Sequence, residues 1–378
     1  MKNSTANIVA QTMSARWYSG ASEAWKIWAR LCWQLWLHGR LDIEWSYDNI
    51  HLFGGNPENI TLGGPSAGSY STQFQLCHEF NYAVKPLIKR VIQYSNAIPA
   101  QPKSIEESQE AFDGLLEAFH IPLELGGAEK LRKLRAIPAE DLMDLIMKLE
   151  TYDQIRDGRF ARKFKERDMA IIIGEVEKEE LLYGATNPPS SVDALSVQLN
   201  NYYPTSQVAL IREMYGLSKL AGLSGDAEDL AELHELYGKV VADGQVYVPS
   251  RALVQSLFEN GVGMERILRY RLSWRPKGTD RIAMFCPEVT HSDDTWAWWY
   301  SKRYGFEASD CAIAQAWLAP VSAFFAGDLD KASSLWWGAS GVPQCPRRQR
   351  ALQKTQEVGT IDDDRWDRCM GIGGAVKA

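Results

Sequence analysis

The pentapeptide Gly64-Pro65-Ser66-Ala67-Gly68 constrains the fold of this chain more than any other segment. A short apolar stretch at 59–63 precedes it and predicts a strand, and a helix-compatible run that reaches Leu76 follows it. A G-x-S-x-G sequence between a strand and a helix forms a sharp turn that holds the serine hydroxyl above the sheet. The glycines on either side leave room for the neighbouring strand and helix. This context favours a nucleophilic role for Ser66 over that of an ordinary loop serine.

Strands and helices alternate along the rest of the chain. Predicted strands lie at 90–95, at 169–173 and at 268–274. The run at 169–173 is almost continuously apolar, as in a parallel sheet that is buried on both sides. The segment at 268–274 alternates apolar and polar residues, which is typical of a half-buried strand. Predicted helices cover 104–119, 128–135, 139–149, 204–216, 226–242 and 309–325. The pattern predicts a single α/β domain.

Composition and charge exclude several classes of protein. The chain of 378 residues is mildly acidic, with a formal charge of −7, so the concentrated basic face of a nucleic-acid binder is not expected. No window of about 18 apolar residues occurs, so we expect no transmembrane segment. Because no signal peptide is visible, a cytoplasmic location is the default expectation. The 6 cysteines are scattered and form no CxxC pair, so neither zinc nor a disulfide framework is predicted.

A serine nucleophile requires a histidine base and a carboxylate that orients it. His291 lies in the loop sequence PEVTHSDD, beyond the strand at 268–274, and is the best candidate for the base. The other histidines lie upstream of the expected place, within the unit of the nucleophile, or on predicted helices: His38, His51, His78, His120 and His234. A metal site at His291, Asp293 and Asp294 is the weaker alternative, since no second histidine or cysteine lies nearby.

The orienting carboxylate should lie between Ser66 and His291 if the chain follows the order serine, acid, histidine. A loop after a buried strand is a suitable place, and four glutamates follow the strand at 169–173. Spacing alone does not choose among them: Glu175, Glu177, Glu179 and Glu180.

Residues 49–68, NIHLFGGNPENITLGGPSAG, closely resemble the type-B carboxylesterase (cholinesterase-like) family. The segments RVIQYSNA, LRAIPAEDL, ADGQVYVPSR, RYRLSW and VTHSDD are also similar to that family, so the resemblance covers about residues 38 to 330. It implies an α/β-hydrolase fold, in which helices flank a central, mostly parallel sheet. It further implies hydrolysis of a small-molecule carboxylic ester through an acyl-enzyme, with no cofactor and no metal.

The resemblance also selects site residues. The family's acid is a glutamate five residues after a strand-closing glycine, and counting from Gly174 gives Glu179. The family usually has Asp-Glu-Gly there, whereas this chain has Lys178-Glu179-Glu180. His291 matches the family's Gly/Val-x-His loop. The implied site therefore consists of a catalytic triad, one backbone N–H in the oxyanion hole and two glycines at the turn: Ser66, Glu179 and His291; Ala67; Gly64 and Gly68.

The chain departs from the family before the nucleophile. Only 65 residues precede Ser66, whereas family members have well over a hundred, and no Gly-Gly pair directly follows a histidine. We therefore expect the first strands of the sheet and the His-Gly-Gly oxyanion loop to be absent. Three segments are predicted: a divergent, Trp-rich start (1–37), a partial carboxylesterase domain (38–337), and a divergent, poorly ordered tail (338–378). The alternative to an esterase is a non-catalytic hydrolase-like binding protein or an inactive truncated gene product.

Overall fold

Within the described residues, six strands form a single sheet. The computed structural model describes residues 39–81, 85–95, 109, 112–113, 116–117, 119–137, 159–186, 188–203, 205–217, 227–281, 288–299 and 306–377. The strands are β1 (Ile60–Pro65), β2 (Ile88–Tyr94), β3 (Ala170–Val176), β4 (Ile267–Leu272), β5 (Arg348–Leu352) and β6 (Val358–Asp362). Their order in the sheet is their order in the chain. Strands β1 to β5 pair in parallel and β6 pairs antiparallel to β5. The predicted mostly parallel α/β sheet is confirmed.

Helices occupy most of the described chain between and beyond the strands. They are α1 (39–49), α2 (Ala67–Asn81), α3 (Gly127–Ala136), α4 (Arg159–Glu166), α5 (Glu179–Ala185), α6 (Val192–Tyr202), α7 (Thr205–Met214), α8 (Ala227–Ala242), α9 (Val248–Glu259), α10 (Asp294–Trp299), α11 (Ala308–Ala326), α12 (Leu329–Trp337) and α13 (Trp366–Lys377). A π-helical turn, Asp243–Tyr247, joins α8 to α9. The helix predicted at 139–149 lies outside the described residues, and the one predicted at 104–119 is described only in part.

The main apolar core lies along the sheet. It takes buried residues from β1 to β5 and from the helices α9, α11 and α12. Every residue of β3 is buried, as its continuous apolar sequence predicts. At Gly174 the sheet needs a glycine, because a Cβ there would lie 2.1 Å from the carbonyl oxygen of Tyr270 on β4. A second apolar cluster joins α6, α7 and α8, which lie between β3 and β4 in the chain.

Strand β4 is more deeply buried than its sequence suggests. The alternation at 268–274 predicted a half-buried strand, but all six residues of β4 are buried, including Arg269 and Arg271. Both guanidinium groups bind the carboxylate of Asp363. The prediction was wrong because an arginine can lie in an interior when an equally buried acid from elsewhere in the chain neutralises it.

The end of the chain also differs from the expectation. Residues 338–378 were predicted to be poorly ordered, but β5 and β6 extend the sheet and α13 follows them. Asp363 lies between β6 and α13, and Arg251 of α9 donates to it at 2.7 Å. The charged side chains of this segment suggested a solvated tail. Some of them are instead buried or half-buried and form ion pairs. Composition does not reveal such pairing, because the partners are about a hundred residues away.

Candidate active site

Ser66 lies at the sharp turn between β1 and α2. Its φ is 52°, in the left-handed region that non-glycine residues seldom adopt. Its N–H donates to the carbonyl oxygen of Tyr94 at the end of β2, at 3.1 Å. A Cβ on Gly64 would come within 2.8 Å of Gly68 Cα, so the turn is too tight for a side chain at that position. The geometry is that of the strained strand-to-helix turn that the pentapeptide predicted.

His291 joins Ser66 to Glu179. Its Nε2 lies 2.7 Å from Ser66 Oγ and its Nδ1 lies 2.6 Å from Glu179 Oε2. A short parallel bridge joins Lys178 and Thr290, the residues directly before Glu179 and His291, and Lys178 N donates to Val289 O at 3.0 Å. The loop after β4 is thereby attached to the segment after β3, and the three side chains meet although 225 residues separate Ser66 from His291.

Glu179 is the glutamate that contacts the histidine. It is fully buried at the start of α5, and its Oε1 accepts from Val176 N at 2.9 Å. The other three candidates have different partners. Glu175 pairs with arginines, Glu177 accepts from Ser273, and Glu180 accepts from the hydroxyl of Tyr247.

Ala67 begins α2 and is exposed. The N–H groups in the first turn of a helix have no partner within the helix and carry partial positive charge. The N–H of Ala67 lies in this first turn, directly after Ser66.

Tyr183 is a neighbour of the histidine that sequence reasoning missed. Its hydroxyl lies 3.3 Å from Nε2 and 3.5 Å from Nδ1 of His291, and the two ring centroids are 4.8 Å apart. It lies four residues after Glu179 on α5, and this spacing places two side chains on the same face of a helix. That spacing was the available signal, but it became usable only once Glu179 was known to face the histidine.

The sequence suggested Asp294 only as a metal ligand, and the structure gives it a different environment. It is fully buried, and the hydroxyl of Tyr270 donates to its Oδ2 at 2.5 Å. Burial, and next the negative charge of Glu179, raise the pKa of Asp294 to about 7. Asp293 instead accepts from Thr290 N at 2.8 Å. Across the described ranges, no group of three or more histidine, cysteine, aspartate or glutamate side chains is arranged to hold a metal ion.

The raised pKa of Asp294 predicts a pH-dependent stability. Its pKa in the folded protein, about 7, exceeds the ordinary value of 3.8. The stability that its proton contributes is therefore present below about pH 3.8 and lost as pH rises to about 7. Asparagine resembles the protonated carboxyl, so Asp294→Asn should become more stable relative to the wild type between pH 4 and pH 7. Urea unfolding across that range checks this.

Asp330→Asn is the control for that measurement. The side chain of Asp330 is 97% exposed, so its difference from the wild type should vary little over the same range. A difference for Asp294→Asn that is equally flat would contradict the prediction.

The sheet, the strained serine turn and the hydrogen-bonded serine, histidine and glutamate define an α/β-hydrolase. The chain belongs to the carboxylesterase family, whose family model matches residues 40–305. It is 38% identical, over 89% of its length, to an uncharacterized esterase/lipase of Schizosaccharomyces pombe. It is 30% identical, over 87% of its length, to a carboxylic ester hydrolase of Gibberella moniliformis. A shorter match, 27% identical over 41% of this chain and 32% of the relative, is to lipase 5 of Diutina rugosa.

The chain spans 64% and 62% of the length of the first two relatives. Helices within the described part of the chain lack the combination of length and apolar character that a membrane crossing requires.

Proposed function

We propose that this protein is a carboxylic ester hydrolase in which Ser66, His291 and Glu179 form a catalytic triad. The observation that carries the proposal is the unbroken series of hydrogen-bond distances, 2.7 Å from Ser66 Oγ to His291 Nε2 and 2.6 Å from His291 Nδ1 to Glu179 Oε2. Membership of the carboxylesterase family supports a small-molecule ester as the substrate.

The proposed reaction has two steps, acylation of Ser66 and hydrolysis of the acyl-serine. Ser66 Oγ attacks the ester carbonyl while Nε2 of His291 takes its proton, and the tetrahedral intermediate expels the alcohol, which receives that proton. Water then attacks the acyl-serine by the same route, and the acid and the free serine are released. Glu179 accepts from Nδ1–H, so it fixes the tautomer of His291 and stabilises the imidazolium that forms in each step.

Donors to the developing oxyanion would decide how fast this chain reacts. The N–H of Ala67 supplies one donor, and losing a single such donor costs about 10²- to 10³-fold in rate. The second candidate function is the alternative that the sequence analysis left open, a non-catalytic hydrolase-like protein that binds ligands without turning them over.

A serine-directed fluorophosphonate probe together with a short-chain p-nitrophenyl ester separates the two candidates. The esterase proposal predicts that the wild type is labelled and hydrolyses the ester, and that Ser66→Ala loses both properties. Ser334→Ala, which changes an exposed serine on α12, serves as the matched control and should behave as the wild type. Folded wild-type protein that is neither labelled nor active would support the binding protein and overturn the esterase proposal.

A further inference from the structure

A π-helical turn lies against the proposed catalytic acid. Residues Asp243–Tyr247 form this turn between α8 and α9, and Tyr247 at its end is buried. Such turns are rare and occur frequently at functional sites, because the extra residue reorients the side chains of a helix. Here the turn brings the hydroxyl of Tyr247 to the first residue of α5.

We infer that Tyr247 is a positioning residue for Glu179, with Glu180 orienting its hydroxyl. The inference rests on the proposed function. The N–H of Glu179 donates to the hydroxyl oxygen of Tyr247 at 3.0 Å, and that hydroxyl donates to Glu180 Oε2 at 2.8 Å. With its proton directed at Glu180, the hydroxyl presents a lone pair to the backbone of Glu179.

The backbone N–H of Glu179 requires an acceptor, and the hydroxyl of Tyr247 is that acceptor. The first N–H groups of a helix find no acceptor within the helix, and a buried donor without a partner destabilises the fold. The side chain of Glu179 is fixed by Val176 N on one oxygen and by His291 on the other. The bond to Tyr247 fixes the backbone from which this carboxylate extends, so it sets where the carboxylate meets the imidazole.

Two arginines hold Tyr247 and the turn that carries it. The guanidinium of Arg365 lies 4.5 Å from the centre of its ring, and Arg365 also donates to Glu175 Oε1 at 2.8 Å. At the start of the turn, Nη1 and Nη2 of Arg368 donate to the buried carboxylate of Asp243, at 2.8 and 2.5 Å. Both arginines belong to the last segment of the chain, one just before α13 and one within it.

The protonation of Tyr247 suits this role. Burial raises the pKa of Tyr247 well above its ordinary value, and the carboxylates of Glu179 and Glu180 raise it further against the opposing charge of Arg365. The hydroxyl therefore keeps its proton at neutral pH and continues to donate to Glu180. Glu180 supplies that acceptor.

The test compares steady-state kinetics of the full chain with a short-chain p-nitrophenyl ester. Tyr247→Phe keeps the ring under Arg365 and removes only the hydroxyl. We expect kcat to fall about 10- to 100-fold with KM within about twofold, because the substrate still binds while the acid and base are misplaced. Labelling of Ser66 by the fluorophosphonate should slow by a similar factor.

Glu180→Ala should also lower kcat, because it removes the acceptor of the Tyr247 hydroxyl. Glu180→Gln keeps an acceptor oxygen and should retain most of the wild-type kcat.

Tyr203→Phe is the control for a merely structural hydroxyl. It removes a buried tyrosine hydroxyl that donates to Val240 O, just before the π-helical turn. It should lower the melting temperature but leave kcat unchanged. If the wild type is active and Tyr247→Phe keeps its kcat, the positioning role is wrong while the esterase proposal stands. If the folded wild type shows neither labelling nor hydrolysis, the proposed function fails and the positioning role falls with it.

Discussion

Replacing His291 by alanine is expected to lower kcat for a short-chain ester by about 10⁴- to 10⁶-fold. The imidazole lies within hydrogen-bond distance of both Ser66 Oγ and Glu179 Oε2, so it is the group placed to take the serine proton. Removing the base of a serine hydrolase costs up to about 10⁶-fold in kcat, because an unassisted hydroxyl is a poor nucleophile.

Replacing Glu179 is expected to lower kcat less than replacing His291 does. Glu179→Gln leaves the base in place but favours the wrong tautomer and no longer balances the imidazolium, so we expect a loss of about 10⁴-fold. Residues that act as one unit are not additive, so the double variant His291→Ala/Glu179→Gln should be no slower than His291→Ala alone. Single-turnover rates of acylation provide the measurement. His51→Ala, which changes an exposed histidine, is the control. A His291→Ala variant within tenfold of the wild type would contradict the proposed triad.

Replacing Asp363 by alanine is expected to lower the free energy of unfolding by about 3–5 kcal/mol. Its carboxylate accepts from Arg269 at 2.5 Å, from Arg251 at 2.7 Å and from Arg271 at 3.2 Å, and all four side chains are buried. Burial alone would raise the pKa of Asp363, but Arg269 and Arg251 outweigh it and hold the pKa below the ordinary range. Without this carboxylate, Arg269 would lose its ion-pair partner Asp363, while Arg251 and Arg271 would keep Glu175.

The neighbouring residue provides a matched control. Asp364 binds the same Arg271 at 2.5 Å, but its side chain is 74% exposed, so Asp364→Ala should cost about 0–1 kcal/mol. Urea unfolding at pH 7 measures both variants. Because the pKa of Asp363 is lowered, its contribution is present above the ordinary pKa of an aspartate and is lost as pH falls through the folded value. Equal losses for the two variants would contradict the role assigned to the buried charge cluster.

The local features of the site could be predicted because their causes are local. The turn at Ser66 follows from glycines at fixed spacing between a strand and a helix, and the structure has that turn. Strand β3 was predicted from its apolar run, within a few residues of its bounds. The choice of Glu179 among four glutamates came from family resemblance, since acids along a short segment differ only in where their side chains point.

Features that depend on distant partners could not be predicted in the same way. Arginines on β4 indicated a solvated face until Asp363 was found beside them, and the segment that carries Asp363 looked like a tail. Tyr247 lies 68 residues from Glu179, and no periodicity in the sequence connects the two.

The sequence by itself determined an α/β chain with a serine at a strained turn, a histidine in a later loop, and a small set of acids between them. Backbone conformation and apolar burial depend mainly on neighbouring residues, so their patterns can be read directly. Only the tertiary structure decided which tyrosine supports the acid that meets the histidine, and why the last strands are ordered. Each of these is a hydrogen bond or ion pair between distant residues, and burial determines its strength.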